Sequence, residues 1–585
     1  MKAVKISCIS YLLITSAPTQ AALYQVIEVT PDTSYSYESA YGVAIQPSTV
    51  TGESDNCFES SYVEGDGISC SAYTLAGETR LVEPSEGKAV DGLSYREETP
   101  FGIDNRFMYV QEQGDFEDYC DAQLLYGTCE SWAALHWALW SDELSGSTEP
   151  NSIAFLGDYD TGTAYNESYN IVINSLTEDA EPVGILHDLG NVTSYMRNYT
   201  QALDDTNPIT DSYLQSRAWK TDGDYTVGSV STSASNDYGD FYSSKAALWS
   251  SSLGSLVELD WASSVSDTAV YKNRTAQGSL RDFVIVDNTL YSVGYNTYLH
   301  DSYYYFMEAT VFSVDLDSDV FDADNWETKK ISGAGVESDD DYIYSNTLLT
   351  GVNSNLVAIG ESKRAGSYPY ENAASNRMYV VDDISENSLS ATYLSGGIFF
   401  DGVGGKARAI NNFNEIVGQV DAENTNESSG KPRRKRGFIY PYDGEGTSDT
   451  RSARLSDQAW WLDDLTNGGD YSDDNNYYRI IDASGINDAG VISATALKCD
   501  SGYDDTSHFA TCGDGEVDEE TVAVKLVPIV GATSDDIAER SDETSTTSSR
   551  SGGSVNYFLL FTLFALFGYR GFSNGVFPRS KEQST

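Results

Sequence analysis

Four histidines, His136, His187, His300 and His508, stand far apart along the chain, and none forms the HExxH spacing that sets two imidazoles on one helical face for zinc. No GxSxG elbow offers a serine nucleophile, and no P-loop offers backbone amides to a phosphate. Carboxylates are abundant, with 90 Asp and Glu against 35 Lys and Arg, but spacing alone cannot pick the converging pair that glycoside cleavage needs. Asp315, Asp317 and Asp319 in "DLDSDV" are the candidate metal ligands, because calcium takes several carboxylate and carbonyl oxygens. The Gly at position six and Glu at position twelve of an EF-hand are absent there, so no cofactor is assigned and calcium is kept only as the weaker alternative to an acidic solubility loop. His136 in "WAALHWALW" reads as a packed or hydrogen-bonded strand residue. The basic run "KPRRKR", Lys431 to Arg436, reads either as a docking patch for an acidic polymer or, preferably, as a solvated hairpin segment projecting from its unit. No catalytic or cofactor-binding residue is assigned.

Such residues need a scaffold, and 585 residues with 12% aromatics can bury a real core. The net charge of -55 repels phosphate backbones and anionic lipid, which excludes nucleic acid as an expected partner and suggests an acidic solubility surface.

Residues 1–21 pair Lys2 and Lys5 with an apolar stretch and small residues, the order of a secretory signal cleaved after Ala21 by signal peptidase. Cys8 precedes most of that stretch, which argues against a lipoprotein attachment site. The six other cysteines fall into local couples, Cys57 with Cys70, Cys120 with Cys129 and Cys499 with Cys512. Local closure is the simplest of their pairings, and three disulfides suit an oxidising compartment. No CxxC is present for a zinc ribbon or a thioredoxin-like site.

The other end divides into a polar, low-complexity spacer, 534–551, and a segment 552–585 whose apolar part, 555–569, is short for a membrane span. Spacer, small residues, apolar segment and Arg570 follow the order of processed C-terminal anchors. With Gly552 and Gly553 as the matching pair, this layout resembles the GlyGly-CTERM sorting signal. That resemblance implies processing by a rhombosortase and attachment at the cell surface.

Between the ends, 22–533 repeats itself. "RAINNFNEIVGQV" and "SGINDAGVISATA" share a short strand, a turn Asn at Asn411 or Asn487, and a second strand. Further copies place Asn353, Asp287 and Asp222 in the turn, with Gly360, Gly294 and Gly228 some seven residues on. Poorer copies place Gln46 before Gly52, and Asp104 in "FGIDNRFMYVQEQ". Asn and Asp cap tight turns through their own side chains, and Gly within a strand marks close approach of another backbone. Each copy is followed by another apolar strand: "AYTL", "WALW", "AALW", "ATVF", "MYVV", "GFIY" or "VAVKL". Fourth strands are read at Ser255 and Trp460. The step from Asp104 to Asp222 leaves room for a degenerate eighth unit near "NIVINSLTEDAEPVGIL".

These units predict an all-β fold, a β-propeller of about seven four-stranded blades with six to eight allowed. The strand at Ala22 to Val29 is expected to close it by pairing into the last blade. "ARAINNFNEIVGQV", "RGFIYPY" and "WWLDDL" resemble the HAF-type repeat of bacterial extracellular proteins. The whole layout is similar to a family of exported marine gamma-proteobacterial proteins, a domain of unknown function. The resemblance implies an extracellular place and transfers no activity. The expected function is a surface-attached, non-catalytic propeller presenting loops to a polysaccharide or surface protein, or serving the envelope structurally. The alternative is a secreted carbohydrate-active hydrolase or lyase using acidic residues.

Overall fold

The computed structural model describes residues 22–542 apart from 51–53, 83–111, 191, 193–198, 205–211, 238, 266–268, 272, 301–303 and 340. Ala21, Gly552, Gly553, Gly52, Asp104 and the apolar segment 555–569 lie outside the described residues.

Among the described residues the fold is mostly β, arranged as sheets of four or five strands, one seven-stranded sheet and two small two-stranded ones. The seven-stranded sheet is two antiparallel groups joined through one parallel pairing, Thr200 with Gln215. In chain order the inner hairpins of the strand sets are Ser39–Ile45 with Leu75–Arg80, Tyr169–Leu176 with Pro182–Asp188, and Gln215–Thr221 with Thr226–Asn236. Then come Ser279–Val286 with Thr289–His300, Asp341–Val352 with Ala358–Arg364, Gly405–Ile410 with Glu415–Asp421, and Tyr478–Ile486 with Ile492–Lys498. We number these sets first to seventh. The N-terminal strand Tyr24–Glu28 pairs antiparallel with Glu520–Pro528 and thereby completes the seventh set.

Each inner hairpin carries a β-bulge on one strand opposite a small residue on the other. Gly184, Gly228, Gly294, Gly360 and Gly418 sit there, and a Cβ on any of them would be driven into the carbonyl oxygen of Val172, Arg217, Ser279, Leu348 or Lys406 respectively. The bulge brings that carbonyl over the facing strand, so only a hydrogen fits. Ala494 takes the corresponding place in the seventh set, opposite the bulge between Ala483 and Gly485.

Side chains at the bulges tie each set to the next. Ile173 N–H donates to Glu78, Asn174 and Ser175 donate to the carbonyls of Ala218 and Trp219, and Lys220 pairs with Asp282. Val352 N–H donates to Asp282, Thr350 to the Ala407 carbonyl, Arg408 to Asp482 and Ser484 to the Gly42 carbonyl. The last bond returns from the seventh set to the first. Lys525 strengthens that seam, its fully buried ammonium donating to the carbonyls of Ser71, Tyr73 and Asp158.

Three expectations are corrected. "AYTL" begins the second strand of the first set rather than the third, because an insertion carrying the Cys57–Cys70 disulfide separates it from Gln46. "NIVINSLTEDAEPVGIL" is the hairpin of the second set and not an eighth unit, its turn running through Ala180 at φ 62°. The all-β expectation fails between residues 113 and 144. "WALW" and His136 lie on helix α2, Cys129–Leu144, which follows α1, Gln113–Tyr119, and a π-type turn, Cys120–Leu124. Ala133, Trp137, Trp140 and Leu144 recur at helical spacing and pack with Phe116, which explains why an apolar run that looks like a strand is a helix. The helical insertion leaves the first set and reaches the fifth and sixth: Gly127 N–H donates to the Gly430 carbonyl, Ser429 N–H to Leu125, and Lys363 to Gln123.

Gly418→Ala is expected to cost about 1–3 kcal/mol by overpacking, whereas Gly114→Ala, on helix α1 where a Cβ meets nothing, should leave stability unchanged or raise it by up to about 1 kcal/mol; urea denaturation of both variants checks this. Burial pushes the Lys525 ammonium down from its ordinary 10.5 to about 8. The folded state therefore holds fewer protons than the unfolded chain between those values, and the stability difference between wild type and Lys525→Met should rise with pH from about 8 to about 10.5. Paired melts across that range would show a flat difference if the ammonium were not desolvated.

Candidate ligand-binding cleft

A cleft of about 580 Å³ opens between the sixth and seventh sets. Its walls are the loop holding Glu423, Thr425 and Asn426, the basic run from Lys431 to Arg436, Arg479 and Ile481 on the first strand of the seventh set, and the segment from Tyr503 to Glu519. The Cys499–Cys512 disulfide fastens that segment. Cys120–Cys129 ties the π-type turn to α2 in the same local manner.

The basic run does not project. Arg433 is fully buried, donates to the carbonyls of Thr425, Gly402 and Glu371, and pairs with Asp421 at 3.1 Å. Lys435 pairs with the same carboxylate. Arg436 is buried too, with Nε 3.0 Å from Asp463 and Nη2 donating to the His508 carbonyl. Two buried aspartates thus claim most of the run, which is why it folds inward: an uncompensated carboxylate there would cost several kcal/mol. Lys431 and Arg434 remain exposed at the cleft mouth. Arg434 faces the Phe509 ring at 5.6 Å and, among the described residues, forms no ion pair.

Behind the run, Arg479 is 1% exposed and stacks 4.1 Å over Tyr503. Its Nη atoms donate to Asn476 and to the carbonyls of Tyr478, Asp505 and Ser507, while Nε has no hydrogen-bond partner among the described residues. Burial first, and then the nearby Arg540 guanidinium, hold Arg479 down to about 10. Arg540 is likewise lowered by burial; it donates to the carbonyls of Asp463 and Thr506. Of the three buried guanidinium groups, Arg436 pairs with the Asp463 carboxylate, Arg540 offers its backbone N–H to Asp464, and Arg479 has no ion pair among the described residues. His508 Nε2 lies 3.0 Å from Asp464.

Arg540 also corrects the spacer. Residues 534–542 pack against the sixth and seventh sets through Arg540 and the Ser541 carbonyl, so the expected flexible tract from residue 534 starts as anchored chain. Arg479 and Arg540 were absent from the sequence reading. The one signal for Arg479 was a charged residue inside the apolar strand "YRII".

The other candidates lie apart. Asp315, Asp317 and Asp319 occupy an exposed loop of the fourth set, where Asp315 accepts the Asp317 N–H and Asp319 accepts the Phe321 N–H. Among the described residues no three His, Cys, Asp or Glu side chains converge as a metal site. His136 stacks on Trp132 at 3.9 Å with Nδ1 on the Trp132 carbonyl, His187 bonds Thr200, and His300 contacts Glu308.

Sheets of repeated hairpins, joined bulge to bulge, define a mostly β repeat protein. Residues 227–571 match the family described as "Protein of unknown function (DUF3466)", and the chain belongs to that family. No curated protein matches the chain. Among solved structures it is similar to a protein of unknown function from Dyadobacter fermentans, at 7% identity and TM-score 0.34 over 88% of this chain and 100% of that one. It is also similar to a mutant GH32 β-fructofuranosidase of Bombyx mori in complex with sucrose, at 10% identity and TM-score 0.23 over 87% and 92% of the two chains. A sucrose-6-phosphate hydrolase from Lactobacillus gasseri matches at 10% identity and TM-score 0.24 over 85% and 93%. Likenesses of this size carry no argument about activity.

Asp421→Asn should leave Arg433 and Lys435 without their carboxylate and cost about 3–5 kcal/mol, while Glu516→Gln at the exposed rim changes stability little. Chemical denaturation of the two variants separates these outcomes.

Proposed function

We propose that the chain is an exported, surface-attached binding protein whose strand sets are the blades of a β-propeller of about seven blades. The bulge-to-bulge bonds that return from Ser484 to Gly42, and the pairing of Tyr24–Glu28 with Glu520–Pro528, support closure. Three disulfides suit an oxidising compartment. Residues 1–21 would supply the export signal, and the tail around Gly552 and Gly553 would serve as a rhombosortase-processed membrane attachment.

The observation that carries the binding reading is the cleft between the sixth and seventh sets. Five cationic residues, Lys431, Arg434, Lys435, Arg436 and Arg479, line it in a chain where acids outnumber bases by more than two to one. A concave site of this size with convergent polar groups is the usual form of a small-ligand pocket. Carboxylates buried elsewhere are held by cations, Glu78 by Arg80, Glu415 by Arg451 and Asp421 by Arg433, which suits a structural role better than proton transfer. A polysaccharide is the favoured partner.

A glycan panel offered to the purified mature chain and scored for retention and cleavage should give retention of at least one glycan with no cleavage. Cleavage abolished by a single carboxylate substitution would replace this reading with a carbohydrate-active enzyme.

A further inference from the structure

Resting on that binding reading, the ligand's chemistry follows from the charge balance around the cleft. Arg479 is buried without an ion-pair partner among the described residues, and its Nε hydrogen bond is unfilled. Arg436 lines the same wall with its charge met by Asp463, Arg540 lies behind it on the Asp463 carbonyl, and Arg434 brings an exposed guanidinium without an ion pair among the described residues to the mouth. An arginine that burial and other arginines disfavour is stabilised by any anion that comes close. The planar guanidinium matches a carboxylate through paired N–H donors.

The rim of the cleft also carries acids. Glu423, on the hairpin that carries Arg434, accepts the Thr425 hydroxyl through one oxygen, Asp518 lies on the 503–519 segment, and the Glu519 carboxylate accepts the Tyr503 hydroxyl. With the whole chain at -55, this rim repels a densely charged polyanion such as a sulfated polymer or an acidic peptide. It suits a ligand with one negative charge and several hydroxyl donors. The volume, about 580 Å³, fits a ligand of a few sugar rings at most.

We propose that this cleft binds a uronate, a sugar unit bearing one carboxylate, with the carboxylate against the arginine wall and the hydroxyls donating to Glu423 and Asp518. The unit comes either as a free monosaccharide or as part of a mainly neutral polysaccharide. The fastened 499–512 loop keeps the site preformed, which lowers the ordering cost of binding.

The test is calorimetric titration of the mature chain with glucuronate, glucose, a short uronate-containing oligosaccharide and a glutamate-rich peptide. Glucuronate or the oligosaccharide should bind, glucose should bind at least about tenfold more weakly, and Arg434→Gln should cost about tenfold, the worth of one charge-assisted contact. Arg434 is exposed, so that variant should melt with the wild type, and Asp518→Asn should weaken binding severalfold with the carboxylate contact intact. Tighter binding of the oligosaccharide identifies a polymer source, and equal affinity for both identifies the free sugar. Equal binding of glucose, unchanged affinity in Arg434→Gln or preferential binding of the peptide overturns the uronate assignment. If the glycan panel retains a neutral glycan while no uronate binds, the uronate assignment fails alone; if nothing in the panel is retained, the binding reading fails with it.

Discussion

One constraint governs the succession of strand sets: each inner hairpin must turn tightly and also grip the next. A side-chain amide can do both, because it carries an acceptor and a donor. Asn353 accepts the N–H groups of Asn355 and Val357 within its own turn and donates to the Asn411 carbonyl of the next. Asn411 caps Phe413 and Glu415 and donates to Asn487, which donates in turn to Gln46. Gln46 reaches the carbonyl of Glu178. Asp222 caps its own turn as well but has no amide to extend, and there a Lys220–Asp282 ion pair makes the connection. In the Asn sets the turn amide thus adds a second tie to the one made at the bulge.

The same economy appears in the use of cations. Arg80, Arg217, Arg433, Arg436, Arg451, Arg479, Arg540, Lys363 and Lys525 are all buried. Each guanidinium can satisfy several carbonyls where strand sets meet and the ladders leave backbone oxygens exposed. With only 35 basic residues in the chain, this internal use strips the exterior of positive charge. Buried carboxylates such as Glu415, Asp421 and Asp463 meet these cations, so the surface keeps a net charge close to that of the whole chain, and the arginine-lined cleft stands out against it.

Legibility in the sequence followed locality. The turns at Asn353, Asn411 and Asn487, and the strands from Ala246, Ala309, Met378, Gly437 and Val522, could be read because one residue type does one local job in consecutive copies. The first two sets were obscured by insertions. The hairpin partner of Ser39–Ile45 begins at Leu75, beyond any spacing a repeat search would accept. The Trp-rich helix was misread since aromatic residues favour strands when periodicity is ignored. The cleft was least legible, because its charge balance comes from Arg436, Arg479 and Arg540, brought together only by tertiary packing. A basic run such as Lys431 to Arg436 reads as surface until Asp421 and Asp463 are found beneath it.

Pairing the first described strand with the last has a consequence for how the protein comes into being. Tyr24–Glu28 emerges early in synthesis, yet its partner Glu520–Pro528 is made almost at the end. Such a distant contact is slow to form, and until it does the outer edge of Glu520–Pro528 and the strand Tyr24–Glu28 each lack a partner. A chain stopped short of residue 520 can form many of the hairpins but not the seam. Being finished and being folded are therefore nearly the same event, and an interrupted product marks itself by the sheet edge it leaves open.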